Sequence, residues 1–154
     1  MIGNEFFLNE KDIINLHNRG HIIGSHSHSH PNVFKSLTYN QMKSEWLESK
    51  KILENILKIK IRSCSVPGGD ANNNTYLSAK ECGFSVVFNS EPTIKLIEKD
   101  GLKILGRFCP KSGTNYRIIK RICSHKGLKT QLFIRSVKNL IKAILFPIYS
   151  KIYN

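Results

Sequence analysis

Apolar positions along this chain switch between two rhythms. In "LNEKDIINLHNRGH", residues 8–21, Ile13, Ile14 and Leu16 form a helical stripe. Asn9 stands where a cap belongs, acids fill the first turn and Gly20 follows as a stop. "HIIGSH", residues 21–26, then reads as a short strand. "SLTYNQMKSEWLESKKILENIL", residues 36–57, returns to helical spacing behind a capping-box pattern at Thr38 and Gln41. Met42, Trp46, Leu53, Ile56 and Leu57 are its core face. "IKIRSCSV" is a strand, "PGGDANNN" a loop, "TYLSAKECG" a short helix closed by Gly83, and "FSVVFNS" and "LKILGRFC" two further strands.

That order of helix, strand, helix, strand, helix, strand, strand predicts an α/β fold with a parallel sheet. Chemistry in such folds collects at the carboxyl ends of the strands. The histidine-rich loop and the "PGGDANNN" loop both leave strand ends and are expected to face one site. With 154 residues and 40% hydrophobic composition, the chain is long enough for one domain with a real core. The four cysteines show no CxxC spacing and sit beside apolar or small residues, so buried thiols in a reducing compartment are expected. No secretory signal and no run of about 18 apolar residues is present, which points to a cytoplasmic location.

The stretch "RGHIIGSHSHSHPN", residues 19–32, places His21, His26, His28 and His30 within ten positions. A metal needs neutral imidazoles converging on one point, and residues four apart on a helical turn can supply them. His26 and His30 have that spacing; His28 is offset by two and is expected to point elsewhere. His21 suits a strand position with a local hydrogen bond, and His17 a helix surface. Catalytic zinc usually takes three protein ligands, so two histidines leave both a metal loop and a hydrogen-bonded polar loop open.

"GHIIGSHSHSHP" resembles the second motif of the polysaccharide deacetylases, the NodB-homology or carbohydrate esterase family 4 enzymes. "SCSVPGGDANNNTYLSAKECGFSVVFNSEP" resembles their next motif with the helix and strand after it. Together these cover roughly residues 6–110. The resemblance implies a distorted (β/α) barrel that removes acetyl groups from N-acetylated sugars or polysaccharides, using zinc or another divalent metal ion. It implies His26 and His30 as metal ligands and Ser27 as a brace of the loop. Gly68 would supply a backbone N–H to the oxyanion, in a turn shaped by Pro67 and Gly69. An aspartate ligand, a second aspartate acting as base and a late histidine acting as acid complete the family's machinery.

Several of these parts have no counterpart here. The aspartate pair belongs upstream of the histidine loop, but Asp12 lies in a helix, where it suits dipole compensation. Ser65 replaces the arginine that opens the third motif, and "ILGRFC" offers Arg107 where a Leu-x-His strand is expected. His125 lies in a basic helical region without that context. Residues 1–112 therefore read as an incomplete, N-terminally truncated barrel, followed by a basic amphipathic helical extension over residues 113–154. A barrel without its first strands exposes sheet edges.

Charge sharpens that division. Net charge is +13, yet residues 1–99 hold 12 Lys/Arg against 10 Asp/Glu, whereas residues 101–154 hold 12 Lys/Arg and no acid. Leu132, Phe133, Val137, Leu140, Ile141, Ile144, Leu145 and Ile148 form an apolar stripe, with Lys129, Arg135, Lys138 and Lys142 among and opposite them. An anionic membrane surface reached through residues 129–154 is a candidate partner beside the sugar. No specific nucleic acid is expected, because no recognised binding motif accompanies the charge. Two alternatives to the enzyme remain: a non-catalytic or carbohydrate-binding relative, and a basic peripheral-membrane protein.

Overall fold

The computed structural model of the chain describes residues 7–110 and 112–153, the backbone alone from residue 142 onward. Local chemistry accounts for the helix starts. Helix α1 (Glu10–Asn18) opens on a reciprocal box in which Asn9 Oδ1 accepts the Asp12 N–H and Asp12 accepts the Asn9 N–H, both at 3.0 Å. Asp12 is thereby committed to a helix end. Helix α2 (Tyr39–Leu57) opens on the same device at Thr38 and Gln41. Helix α3 (Asn73–Glu81) opens on it at Asn72 and Thr75. Helices α4 (Tyr116–Cys123) and α5 (Leu128–Tyr153) follow the sheet.

Strands β1 (Ser63–Ser65), β2 (Val86–Phe88), β3 (Ile97–Lys99) and β4 (Leu102–Leu105) form one sheet in the order β1-β2-β4-β3. β1, β2 and β4 run parallel, while β3 turns back antiparallel on β4. β3 departs from the sequence-based expectation. All three of its residues are exposed, so it has none of the apolar alternation that marks a strand, and it forms because a tight turn brings it against β4. The expected strand over residues 21–26 is also reduced. Only Ser25 pairs, bridging Cys64 in parallel, because among the described residues no strand lies on the far side of residues 21–24. Ile22 is consequently 91% exposed.

Register assigns the two faces of the sheet. Cys64, Val87 and Ile104 lie side by side, and all three are buried in the main hydrophobic cluster with the helices. The next row, Ser65, Phe88 and Leu105, faces the other way by the two-residue period of a strand. That row lines a groove of about 880 Å³, which also takes in Ile23, Ile22 and Arg62. The described residues thus form an arc of mostly parallel sheet, clad by helices outside and open inside, in place of a closed barrel.

Trp46 centres the core. It is fully buried, 4.5 Å from the Phe34 ring and 5.8 Å from Phe84, and its indole N–H donates to Ser78 Oγ at 3.2 Å, joining α2 to α3. Lys43 reinforces that joint by an ion pair with Glu81 at 2.9 Å. Met42 and Leu57 are buried with Trp46, and Leu53 and Ile56 pack at the margin. The cysteines divide, correcting the expectation of four buried thiols. Cys64 and Cys82 are buried, and burial pushes both thiols up, whereas Cys109 and Cys123 are exposed on segments beyond the sheet that bury little.

Replacing Trp46 removes a large buried ring and leaves the Ser78 hydroxyl without its donor. Trp46→Ala is expected to cost about 3–5 kcal/mol of folding stability, read as a lower urea midpoint with little change in slope.

Candidate functional site

The histidine loop leaves the sheet at Ser25, which is held from three directions. Its N–H donates to Ser63 O at 3.0 Å, its carbonyl accepts the Ser65 N–H at 2.8 Å, and its hydroxyl donates to the buried Ser49 of α2 at 2.9 Å. His26 is therefore delivered beside the end of β1. Its Nδ1 lies 2.8 Å from the Ser65 carbonyl and 2.7 Å from Ser65 Oγ. In the tautomer that donates from Nδ1 to this carbonyl, Nε2 keeps its lone pair. His26 is also held below the ordinary imidazole pKa, first by loss of water on its backed side and then by the nearby His30 and Arg107.

His30 comes back to His26. The two ring centroids are 5.0 Å apart, edge to face. This turn requires left-handed backbone at Ser27 (φ +66°) and at His30 (φ +55°), each costing about 1–2 kcal/mol for a non-glycine residue. Local hydrogen bonds offset that cost. Ser27 Oγ accepts the His30 N–H at 3.1 Å. Glu45 of α2 accepts both the His28 and Ser29 N–H groups on one oxygen at 2.8 Å, and the Ser29 hydroxyl on the other at 2.7 Å. His28 is exposed and contributes its backbone to this arrangement. His21 is exposed and His17 half-buried on the wall of the groove; neither joins the pair.

The "PGGDANNN" loop meets the histidine loop from the end of β1. Pro67–Gly69 is a single 3-10 turn with Pro67 and Gly69 buried and Gly68 exposed. Gly68 has φ +65°, and a Cβ built there would come within 3.7 Å of the Asn32 carbonyl, just past His30. Its N–H donates no hydrogen bond among the described residues. Gly69 admits no side chain at all: φ is +76° and a Cβ would overlap Ser90. Arg107 leaves β4 behind this turn, and its Nη2 donates to the Val66 carbonyl at 3.2 Å. Its Nε is buried with no partner among the described residues.

Two functional contributors have no sequence signal of their own. Glu45 belongs to no motif of its helix, and only folding places it over the histidine loop. Arg135 of α5 reads as part of a basic stripe, yet it turns inward. Its Nη2 donates to Asp70 Oδ1 at 2.7 Å and to Ser90 Oγ at 2.8 Å, while Nε donates to Glu91 Oε1 at 3.1 Å. Lys35 approaches the other Asp70 oxygen at 3.8 Å. Asp70 and Glu91 are thus tied to cations at the rim. Among the described residues no third His, Cys, Asp or Glu stands with His26 and His30. His125 is exposed after α4, with φ +57°.

The histidine loop, the glycine turn and the helices between them lie within residues 1–87, which match the family model described as polysaccharide deacetylase. The chain belongs to the polysaccharide deacetylase family. Solved structures agree in fold. IcaB from Ammonifex degensii is 17% identical with a TM-score of 0.66, covering 79% of this chain and 57% of that one. A de-N-acetylase from Aggregatibacter actinomycetemcomitans is 19% identical with a TM-score of 0.62, covering 75% and 53%. The Streptococcus pyogenes deacetylase PplD, solved with acetate, is 18% identical with a TM-score of 0.58, covering 71% and 48%. The chain spans about half the length of these structures. No curated protein matches its sequence.

Burial pushes the Glu45 carboxyl up, but the Ser29 hydroxyl and the Ser29 and His28 N–H groups outweigh it and hold the pKa below the ordinary 4.5. A depressed carboxylate stabilises the fold fully above its unfolded pKa, and that contribution disappears as pH falls through the folded value. Glu45→Gln is expected to lose about 1–2 kcal/mol at neutral pH, since charge-assisted bonds to a partly exposed group fall near the lower end of their range. The variant should also remove part of the acid sensitivity below the ordinary carboxylate range. Hydrogen exchange at the His28 and Ser29 amides, measured against pH, checks both effects.

Proposed function

We propose that this chain carries the metal-binding histidine loop and the oxyanion turn of a metal-dependent hydrolase. The reaction removes N-acetyl groups from sugars or polysaccharides, breaking a carbon–nitrogen bond that is not a peptide bond. The observation that carries this reading is the His26–His30 pair at the carboxyl end of the sheet, in a chain of the polysaccharide deacetylase family. Donation from His26 Nδ1 to the Ser65 carbonyl would leave the Nε2 lone pair free for a metal. The names of the structural neighbours, a de-N-acetylase and a deacetylase among them, support the same substrate class.

The residues present fit two ligands of a divalent ion such as zinc. Both imidazoles come from one loop, and the nitrogen that faces Ser65 is the one a metal would not use. When bound, such an ion supplies a Lewis acid for the amide carbonyl and lowers the pKa of a coordinated water to about 7. His26 and His30 would hold it, with Ser27 and Glu45 fixing the loop that carries them. The Gly68 N–H is the available donor for the charge that develops on the carbonyl oxygen. The edge at residues 21–24, unpaired among the described residues, and the groove beside it are the open side, from which a carboxylate-bearing strand would complete the site.

Titration with cobalt(II) or zinc tests the ligand assignment. His26→Ala and His30→Ala are each expected to weaken binding by more than the about 10–100-fold lost when a merely bracing group is removed. Metal affinity that survives both changes sinks the assignment. Acetate release from an N-acetylglucosamine oligomer then separates the enzyme from its alternative. Metal binding without acetate release would favour the non-catalytic remnant or carbohydrate-binding relative.

A further inference from the structure

Helix α5 has two faces with different fates. At about 100° per residue, the half-buried Leu128, Gln131 and Arg135 fall within an arc of about 60°. Phe133, Val137, Leu140 and Ile141 fall within an arc of about 100° on the opposite side. Nothing among the described residues covers that second face: Phe133 is 70% exposed and Leu140 63%. The expected stripe continues through Ile144, Leu145 and Ile148, which with Lys142 lie outside the described side chains. Among the described residues, no helix is long and apolar enough to cross a membrane.

Charge selects the partner. Residues 101–154 hold 12 Lys/Arg and no acid. A second copy of this helix would bring two acid-free cationic segments together, which repel. A nucleic acid would engage the cations but leave Phe133 and Leu140 in water. We propose that α5 lies flat on an anionic lipid bilayer, with Phe133, Val137, Leu140 and Ile141 in the boundary between headgroups and acyl chains. Lys129 and Lys138, both exposed, meet lipid phosphates at its flanks.

Arg135 gives this docking a consequence. On the face turned away from the lipid, it clamps Asp70, next to the Pro67–Gly69 turn. The helix therefore reads the bilayer with one side and holds the rim of the histidine site with the other. That sets the site within reach of a glycan held at the same surface, a consequence resting on the deacetylase reading. The docking itself does not depend on that reading.

Flotation of the full chain with vesicles tests the docking without metal or substrate. The chain is expected to float with phosphatidylcholine vesicles containing phosphatidylglycerol at least about tenfold more than with phosphatidylcholine alone. Most of that binding should vanish between about 0.1 and about 0.5 M salt as screening shortens. Phe133→Glu with Leu140→Glu should abolish it, and Lys129→Glu with Lys138→Glu should weaken it severalfold. These positions are exposed, and far-UV circular dichroism checks that the fold is kept. His26→Ala should bind vesicles as the unaltered chain does, so a failure of the metal assignment cannot pass for a failure here. Three results would overturn the proposal. One is no binding to anionic vesicles at low salt. Another is RNA or lipid binding that survives Phe133→Glu with Leu140→Glu. The third is a lipid-free dimer that those substitutions disperse.

Discussion

The burial of Cys64, Val87 and Ile104 against the helices is the constraint on which the rest of this structure depends. Side chains alternate along a strand, so committing this row to the helical side commits Ser65, Phe88 and Leu105 to the other. The parallel direction of β1, β2 and β4 brings their carboxyl ends to one rim. Ser65 ends β1 there, and its carbonyl and hydroxyl both face Nδ1 of His26. The placement of the imidazole is thus decided by a strand register set in the core.

A second dependence runs through α2. Its apolar face, centred on Trp46, fixes the helix against α3 and the sheet. Its other faces then meet the histidine loop at two heights. Ser49 bonds Ser25 at the base of the loop, and Glu45 gathers two N–H groups and a hydroxyl near its tip. The loop needs this help because Ser27 and His30 adopt left-handed backbone without being glycine. Such conformations persist only where the surroundings over-determine them, and they are commonly found at functional sites.

The open inner face and the basic helix have opposite characters. The groove carries Phe88, Leu105 and Ile23 where a closed barrel would bury them, in a chain about half the length of its structural relatives. The described side chains of α5 are nearly uncovered, and among them Arg135 ties the helix to the rim through Asp70, Ser90 and Glu91. The half-buried carboxylates of the third-motif region are thereby engaged in an ion-pair cluster, and the histidines stand apart from it.

Helix positions were legible in the order of residues because their causes are local: Asn9 with Asp12, Thr38 with Gln41, and stripes repeating at 3.6 residues. The spacing of His26 and His30 and the glycines at 68 and 69 were legible for the same reason. β3 was not, since its pairing depends on a neighbour and its side chains are all exposed. The shortening of the strand over residues 21–26 was not either, because a ladder needs a partner on each side. Glu45 and Arg135 are the clearest cases. As isolated letters they are surface charges; across 16 and 65 residues of separation they become the brace of the histidine loop and the clamp on Asp70. Sequence by itself determined the helices and the spacing of the candidate ligands, through interactions within a few residues. Only the tertiary structure decided which charges turn inward, because that follows from core packing that no local stretch contains.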